Sequence, residues 1–349
     1  MDLNRGEIYF IREQLQSGYS EFIKIGLVRE RDGRSSADRT KEHQTGNPRP
    51  LVPIEVVPTV FVSEVETTLH REFANRRILP GEWFKLDDSQ LSEAIARCNE
   101  LAATNGAYIP IFEEAERLER EASSADLLAA SDEAKVQWIN HRRSTFANKH
   151  VNDVAGRYKA FLVSAKDRGV NVDDYVRISE SAGRQTFDKA LFRMNYPAIV
   201  NQFTVTETML DSKFSITSVK GEDYSSDEQI ANVMDKVSAL SAAIDRGEDA
   251  KHALDEMHQH YIVLIGLQPA LKKQVAIAEA AIKVLCGTHA GIENVCTWLR
   301  VEVDLTKTGW AAIKASHPTE HSECTRLGAP STTVVLKKGF GSGSDSDEE

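Results

Sequence analysis

Two short runs of β-forming residues near the amino terminus constrain the fold most strongly. Glu7 to Arg12 and Glu21 to Val28 are rich in Ile, Tyr, Phe and Val, and the segment from Gln16 to Tyr19 between them contains a glycine. Such a pair of runs is typical of a β-hairpin. A third apolar run, Leu51 to Val57, contains Pro53. Because proline cannot donate to a central ladder, this strand is predicted to lie at a sheet edge or to end early.

Helices and one more strand are predicted around these three strands. The order strand, strand, helix, strand, helix, strand, helix within about 100 residues is typical of a small α/β or α+β domain. Serine favours the N-cap position, which sets the predicted helix starts. The predicted elements are a helix from Ser35 or Ser36 to about Gln44, a helix from Ser63 to about Arg77, a strand from Trp83 to Leu86 and a helix that opens near Ser89.

The rest of the chain has a different pattern. From Ile111 onward, long stretches of helix-forming residues carry apolar side chains at helical spacing, and a short hairpin is one interpretation of the apolar residues between Pro197 and Val219. The predicted fold class is therefore α+β, with a three- to four-stranded sheet flanked by helices over residues 1–105, a mainly α-helical domain over 106–340 and a disordered acidic tail over 341–349. The helical stretches are Asp132 to His150, Val151 to Arg168, Glu228 to Arg246 and Lys251 to Cys286.

The charge of the chain is uneven. The formal net charge of -11 argues against non-specific binding of polyanions by the chain as a whole. The stretch from Arg29 to Arg49 is nevertheless the most basic of the first hundred residues. With Lys24, its cations form the predicted nucleic-acid-binding set: Arg29, Arg31, Arg34, Arg39, Lys41 and Arg49.

Several classes of protein are disfavoured by what the sequence lacks. No stretch approaches the roughly 18 apolar residues of a spanning helix, and the amino terminus lacks an apolar signal segment, which predicts no membrane partner and a cytoplasmic location. The four cysteines include no C-x-x-C pair, so they are predicted to be reduced packing residues. The sequence also lacks a G-x-G-x-x-G or Walker-type phosphate loop, which argues against an ATPase.

Five ordered sequence blocks resemble the GIY-YIG nuclease superfamily. More narrowly, they resemble its phage-type DNA-binding branch, in which K-I-G replaces the second signature and Q-T-G-N-P and E-W-F are added. The resemblance covers about residues 6–86, and five blocks in order are far more specific than any one of them. The blocks are Gly6 to Phe10, Phe22 to Gly26, Arg39 with His43 to Pro48, Glu66 with Leu69, His70 and Phe73, and Gly81 to Phe84.

The resemblance implies a phosphodiesterase site. Tyr9 would orient or deprotonate the attacking water, and Arg39 would hold the scissile phosphate through its two-pronged guanidinium. Lys24 stands where the superfamily has its second tyrosine. An ammonium cannot accept a proton unless its pKa is lowered, so Lys24 is predicted to bind phosphate. Packing of Tyr9 in a strand core is the structural alternative.

Two pairs of residues lie four positions apart and so share a helix face. Arg39 with His43 is one pair, and Glu66 with His70 is the other. By the resemblance, Glu66 is the sole metal-binding carboxylate, for Mg²⁺ or Mn²⁺. Two structural alternatives stand beside these roles: an exposed arginine near a helix-terminal histidine, and a capping box in which Glu66 bonds back to Ser63.

Three functions follow from this sequence. The first is a metal-dependent endonuclease that hydrolyses DNA phosphodiester bonds in restriction or phage defence, with Tyr9, Lys24, Arg39, His43, Glu66 and His70 as its site. The second is a DNA-binding module on the same scaffold without turnover, with RNA as an alternative ligand for either. The third is an assembly protein that works through its helical domain, where a homodimer interface is also predicted.

Overall fold

The amino-terminal part folds around an antiparallel sheet. The computed structural model describes residues 3–45, 47–78 and 82–337, so the predicted acidic tail lies outside the described residues. The sheet has five strands in the order β3-β1-β2-β5-β4. It exceeds the predicted three to four strands because Arg77 and Ile78 pair with the strand that contains Trp83. The strands are β1 Gly6–Gln14, β2 Tyr19–Arg29, β3 Leu51–Thr59, β4 Arg77–Ile78 and β5 Trp83–Lys85.

The proline-bearing strand β3 lies at the sheet edge, as its prolines predict. Three helices cover the sheet: α1 Ser36–Gln44, α2 Val62–Glu72 and α3 Asp88–Gly106. The predicted cap of α1 is confirmed, because the Ser35 side chain accepts a hydrogen bond from the backbone N–H of Asp38.

The central strand β1 is buried on both faces. Ile8 and Phe10 join the core beneath α2 and α3, whereas Tyr9 and Ile11 belong to a separate apolar cluster on the face that α1 covers. Successive side chains of a strand point to opposite faces. Tyr9 therefore marks the α1-covered face of the sheet.

The remainder is mainly helical, as predicted, and contains three small sheets. A 36-residue helix, α5, replaces the two helices predicted on either side of residue 150, whereas the stretch from 251 to 286 divides into two helices. The elements are α4 Ile109–Glu119, β6 Leu127–Leu128, α5 Asp132–Asp167, β7 Val176–Ser181, β8 Gln185–Phe187, α6 Lys189–Asn195, α7 Pro197–Gln202, β9 Thr204–Ile216, α8 Ala231–Asp245, α9 Lys251–Ile265, α10 Gln268–Cys286, β10 Gly291–Ile292, β11 Cys296–Thr308, α11 Trp310–Ser316, α12 Pro318–Glu323, β12 Thr325–Leu327 and β13 Ser331–Leu336.

The hairpin predicted between Pro197 and Val219 is wrong. This segment instead contains the single strand β9, which pairs along its whole length with β11, from Thr204 opposite Thr308 to Ile216 opposite Cys296. The partner strand lies almost a hundred residues further along the chain, so no local turn signal in the sequence could reveal the pairing.

Helix α10 joins the two parts of the chain. Phe61, at the start of α2, packs with Phe112 of α4 and Ala280 of α10 in one apolar cluster. Beside it, the Lys273 ammonium donates to the Asn105 Oδ1 at 2.5 Å and to the Glu64 carboxylate at 3.3 Å. The amino-terminal sheet is therefore fixed to the helical region by apolar packing and by one nearly buried cation.

None of the helices in the described part of the chain combines the length and the apolar character needed to cross a lipid bilayer.

Replacing Lys273 with Met tests this junction. Its side chain is 12% exposed and that of Glu64 is 13% exposed. Removal of the ammonium leaves a nearly buried carboxylate without its cation, so we expect the free energy of unfolding to fall by about 1.5–3 kcal/mol. Urea denaturation followed by circular dichroism measures it.

Lys213→Met is the matched control, because Lys213 is 76% exposed and pairs with Asp211 at the surface. Exposed ion pairs contribute at most about 1 kcal/mol. Equal losses in the two variants would show that the Lys273 contact does not stabilise the junction.

Candidate functional site

The site is built around the Tyr9 phenol. Tyr9 lies opposite Gly26 in the β1–β2 ladder. A Cβ atom at residue 26 would lie 2.4 Å from the Tyr9 hydroxyl oxygen, so only glycine leaves room for the ring to cross β2. Tyr9 is 1% exposed, which identifies it as a packed core aromatic that carries one polar atom to the far side of β2.

Two side chains of α1 contact this hydroxyl. The Arg39 guanidinium donates a hydrogen bond to it, and the His43 Nε2 lies 3.2 Å away. Arg39 and His43 therefore share the helix face predicted from their spacing, and that face points at the sheet. The alternative of an exposed arginine is wrong, because the Arg39 side chain is only 12% exposed; it also bonds to Glu42 at 2.5 Å.

The protonation of Tyr9 follows from its surroundings. Burial raises the pKa of the Tyr9 phenol above its usual value, and the Glu82 carboxylate raises the pKa further. The phenol is therefore protonated at neutral pH. Since a guanidinium can only donate, the Tyr9 oxygen accepts from Arg39, and its O–H donates to the His43 Nε2 in the tautomer that carries the imidazole proton on Nδ1.

Lys24 lies on the same face of the sheet as Tyr9, opposite Ile11 in the ladder. Its ammonium donates to the Glu82 carboxylate at 2.8 Å, and the Lys24 side chain is 10% exposed. Burial opposes ionisation of Glu82, but the Lys24 ammonium holds the pKa of that carboxyl below its usual value. The predicted phosphate-binding cation is thus held in place by a carboxylate to which the resemblance assigned no role.

Helix α2 brings Glu66 and His70 to the edge of β2. Strand β5 pairs with β2 only from Phe22 to Lys24. Just beyond that pairing, the His70 Nε2 donates to the Ile25 carbonyl oxygen at 2.9 Å. Glu66, one turn earlier, is near enough to raise the pKa of Tyr9. Helix α1 therefore contacts the phenol directly, whereas α2 places His70 beside β2 and Glu66 near enough to act on the phenol electrostatically.

The capping-box alternative for Glu66 is wrong. Helix α2 begins at Val62, one residue earlier than predicted, and its N-cap is Phe61 in a left-handed conformation without a side-chain cap. Ser63 lies inside the first turn, where its hydroxyl accepts hydrogen bonds from the Asn4 and Arg29 side chains. Ser63 is therefore not the N-cap residue to which a capping-box glutamate at residue 66 would bond.

Two site residues were missed by sequence reasoning. Glu82 precedes Trp83 in the E-W-F block, but only the β2–β5 register places it beside Lys24. Arg77 follows α2, and burial lowers the pKa of its guanidinium, whereas Glu82 and Glu66 oppose that shift. The sequence holds no signal for Arg77, because it shows only two adjacent arginines after a helix. We call these eight residues the Tyr9 cluster: Tyr9, Lys24, Arg39, His43, Glu66, His70, Arg77 and Glu82.

The other predicted nucleic-acid-binding residues surround α1. Arg29 contacts Ser63, whereas the others lie at the surface, each with an acidic neighbour. The ion pairs are Arg31 with Asp32, Arg34 with Glu42, Lys41 with Asp38 and Arg49 with Glu13. Exposed pairs of this kind contribute little, so these cations remain available to another anion at small cost.

The donor set limits how a divalent metal ion can be held. Within residues 3–45, 47–78 and 82–337, no group of three or more His, Cys, Asp or Glu side chains is arranged to bind a metal ion. Mg²⁺ is commonly held by one or two carboxylates together with substrate phosphates and water. Glu66 as a single protein ligand fits that mode of binding, whereas a site formed wholly by protein side chains does not fit.

The fold and the cluster define a small α+β domain in which Tyr9 and Lys24 share one sheet face and the α1 residues Arg39 and His43 contact that phenol. Residues 6–99 match the model of the T5orf172 domain, a domain found in phage and nuclease-like proteins and related to the GIY-YIG-type fold. The match spans about a quarter of the chain. No curated protein matches the chain, and no solved structure matches it.

Gly26→Ala tests the packing of Tyr9. The new methyl group would overlap the buried phenol, so we expect a loss of about 1–3 kcal/mol in the free energy of unfolding. Thermal denaturation measures the change. Gly156→Ala is the control: a Cβ there meets no atom within 4 Å, and alanine in a helix is favourable. Destabilisation of both variants to the same extent would argue against a specific clash.

His70→Gln tests the environment of the imidazole. Burial, and next the Arg77 cation, lower the pKa of His70 to about 4. Between about 4 and the unfolded value near 6.5, the unfolded chain binds more protons at this site, so stability is lost as pH falls through that window. Glutamine keeps a donor for Ile25 but does not titrate. We therefore expect the stability difference between wild type and His70→Gln to depend on pH only in this range.

Urea midpoints measured from pH 3.5 to 8 provide the readout. His252→Gln is the control, since the His252 side chain is 79% exposed. Parallel pH profiles for wild type and His70→Gln would contradict the burial argument.

Proposed function

We propose that this chain is an endonuclease that hydrolyses phosphodiester bonds of DNA at the Tyr9 cluster. The single observation that carries the proposal is the contact of Arg39 and His43 from α1 with the Tyr9 phenol, on whose pKa the Glu66 carboxylate of α2 also acts. The T5orf172 match to residues 6–99 supports the same class of activity. A role in restriction or phage defence and a cytoplasmic location remain predictions from the sequence.

The proton path favours His43 over His70. In the tautomer that carries its proton on Nδ1, His43 can take the phenol proton at Nε2 while the phenol takes one from an attacking water. The His70 Nε2 is committed as a donor to the Ile25 carbonyl. We therefore assign His43 to proton transfer and His70 to positioning of α2 against β2.

The cations supply the charge that the reaction needs. A pentavalent phosphoryl group gains negative charge, and preorganised donors aimed at that charge are a major source of catalysis. Arg39 is nearly buried and oriented toward Tyr9. The Lys24 ammonium is paired with the Glu82 carboxylate, and an incoming phosphate would compete with that carboxylate for it.

Glu66 is the residue that would hold Mg²⁺ or Mn²⁺. When bound, such an ion would supply positive charge that neutralises the charge developing on the phosphoryl group. The requirement for Mg²⁺ or Mn²⁺ is part of the proposal.

A plasmid nicking assay tests the proposal. We expect wild-type protein to nick supercoiled plasmid in Mg²⁺ and to lose activity in EDTA. Arg39→Ala and Glu66→Gln should each lower the nicking rate by about a hundredfold or more, because each removes charge stabilisation from the transition state. Gel densitometry over time gives the rates.

Arg97→Ala is the matched control, since Arg97 is a partly exposed arginine of α3 that pairs with Glu72 and Glu100. Its nicking rate should equal that of wild type. Nicking that survives unchanged in both Arg39→Ala and Glu66→Gln would place the activity elsewhere and refute the assignment.

A DNA-binding module without turnover is the second candidate. Lys24 stands where the superfamily has its second tyrosine, so one candidate for deprotonating the attacking water is missing. This candidate predicts salt-sensitive DNA retention that Arg39→Ala weakens, with no nicking in any divalent metal. DNA remains the favoured ligand and RNA the alternative.

An assembly function and the homodimer also remain proposals. The outward face of the β9–β11 ribbon carries exposed apolar side chains, which include Val205, Met209, Leu299, Val301 and Leu305. Apolar faces of this kind mark interaction surfaces in many proteins.

A further inference from the structure

An open cavity lies on the same sheet face as Tyr9 and Lys24. Its volume is about 350 Å³, within the range of ligand-binding pockets. Among the described residues its lining is apolar along β2, β4 and β5 and polar at β1 and at the segment after α1. The lining residues are Phe22, Ile78, Trp83, Glu13 and Asn47.

Phe22, Ile78 and Trp83 form the apolar wall of the cavity. The strand register places this wall directly beside Lys24, the candidate for phosphate binding. Trp83 is the cross-strand partner of Lys24, and Ile78 is the partner of Trp83. Phe22 lies two residues before Lys24 on the same strand, so it points to the same face. A phosphodiester strand with one phosphate at Lys24 would therefore bring the group next to that phosphate against this wall.

Part of this apolar wall is open to solvent. Phe22 and Ile78 are each 39% exposed. A flat aromatic surface next to a cation is how proteins bind unstacked nucleobases without strong sequence preference.

The polar residues of the cavity hydrogen-bond to one another and to Arg49. The Asn47 Nδ2 donates to Glu13 at 2.9 Å, and the Asn47 Oδ1 accepts from the backbone N–H of Arg49 at 3.0 Å. Glu13 also accepts from the Arg49 guanidinium at 3.0 Å. These groups close the cavity but leave few atoms for reading base edges.

Exposed cations flank the cavity on two sides. Arg49 is 55% exposed beside Glu13, and Lys85, the cross-strand partner of Phe22, is 63% exposed beside Glu21. The Lys85–Glu21 pair is exposed on both sides and exchanges readily with a phosphate, whereas Arg49 is exposed but its partner Glu13 is only 16% exposed. Apolar stacking surface between such cations matches a nucleotide chain, whose bases are apolar on their faces and whose backbone is anionic.

We propose that this cavity, which we call the Phe22 pocket, binds one unstacked nucleobase of the strand whose phosphate lies at Lys24 and Arg39. The inference rests on the proposed function, because the phosphate must first be held by the Tyr9 cluster. It adds that the site takes a single strand, a flap or a locally opened duplex in preference to an intact one, with little selectivity among bases.

Equilibrium binding in EDTA tests the pocket apart from cleavage. The probes are a labelled single-stranded DNA oligonucleotide, a strand of the same length made only of abasic residues, and the corresponding duplex. Wild type should bind the base-containing strand at least tenfold more tightly than the abasic strand. Phe22→Ala should remove most of that difference and leave binding of the abasic strand unchanged.

Tyr19→Ala is the matched control, because Tyr19 is an exposed aromatic of the same strand outside the pocket lining. It should bind both strands like wild type. Ile78→Ser gives a second variant of the wall if Phe22→Ala fails to fold, which thermal denaturation reveals.

The outcomes separate the two proposals. If Phe22→Ala and Ile78→Ser bind the base-containing strand as wild type does, or if the duplex binds most tightly, the pocket inference fails. If Arg39→Ala then still weakens binding of both strands, the phosphate site stands without the pocket. If Arg39→Ala has no effect, or if wild type binds no probe at low salt, the proposed function fails together with the pocket.

Discussion

The site depends on one close approach between two strands. The Tyr9 ring crosses β2 only because Gly26 has no side chain, and the ring in turn fills the space that would otherwise separate β1 from α1. Burial keeps the phenol protonated, so its hydroxyl links Arg39 on one side to His43 on the other. A single missing methyl group thus sets the position of three functional side chains, because packed interiors transmit steric changes directly.

The charges around the phenol alternate in sign. The Lys24 ammonium is paired with the Glu82 carboxylate, and the negative charges of Glu82 and Glu66 both favour the charged form of Arg77. Several ionised side chains can be partly buried together here, because each charge has a neighbour of opposite sign that offsets the free-energy cost of its desolvation. The same arrangement makes the cations available to a phosphate, which can substitute for a carboxylate without adding uncompensated charge.

The helical region packs against the amino-terminal domain through α10. Its contact with α2 and α3 combines an apolar cluster around Phe61 with the Lys273 cation. Since α2 also carries Glu66 and His70, the packing of α10 bears on the helix that completes the Tyr9 cluster. The outward face of the long β9–β11 ribbon carries exposed apolar side chains alongside charged ones.

Sequence reasoning succeeded where the signal is local. The cap at Ser35, the spacing of Arg39 and His43 and the edge position of a proline-bearing strand all follow from interactions within a few residues. It failed at the start of α2, where a capping-box pattern at Ser63 was overridden. Phe61 is buried against α4 and α10, so tertiary packing sets the helix start one residue earlier.

The sequence by itself determined the α+β class and the helix-face pairs that carry the candidate site, since periodicity of 2 and of 3.6 is encoded in neighbouring residues. The tertiary structure alone decided that Glu82 meets Lys24, that Arg77 joins the cluster and that Phe22, Ile78 and Trp83 form one wall. These contacts depend on strand register, which is set by how whole faces pack against the core and which no short stretch of sequence specifies.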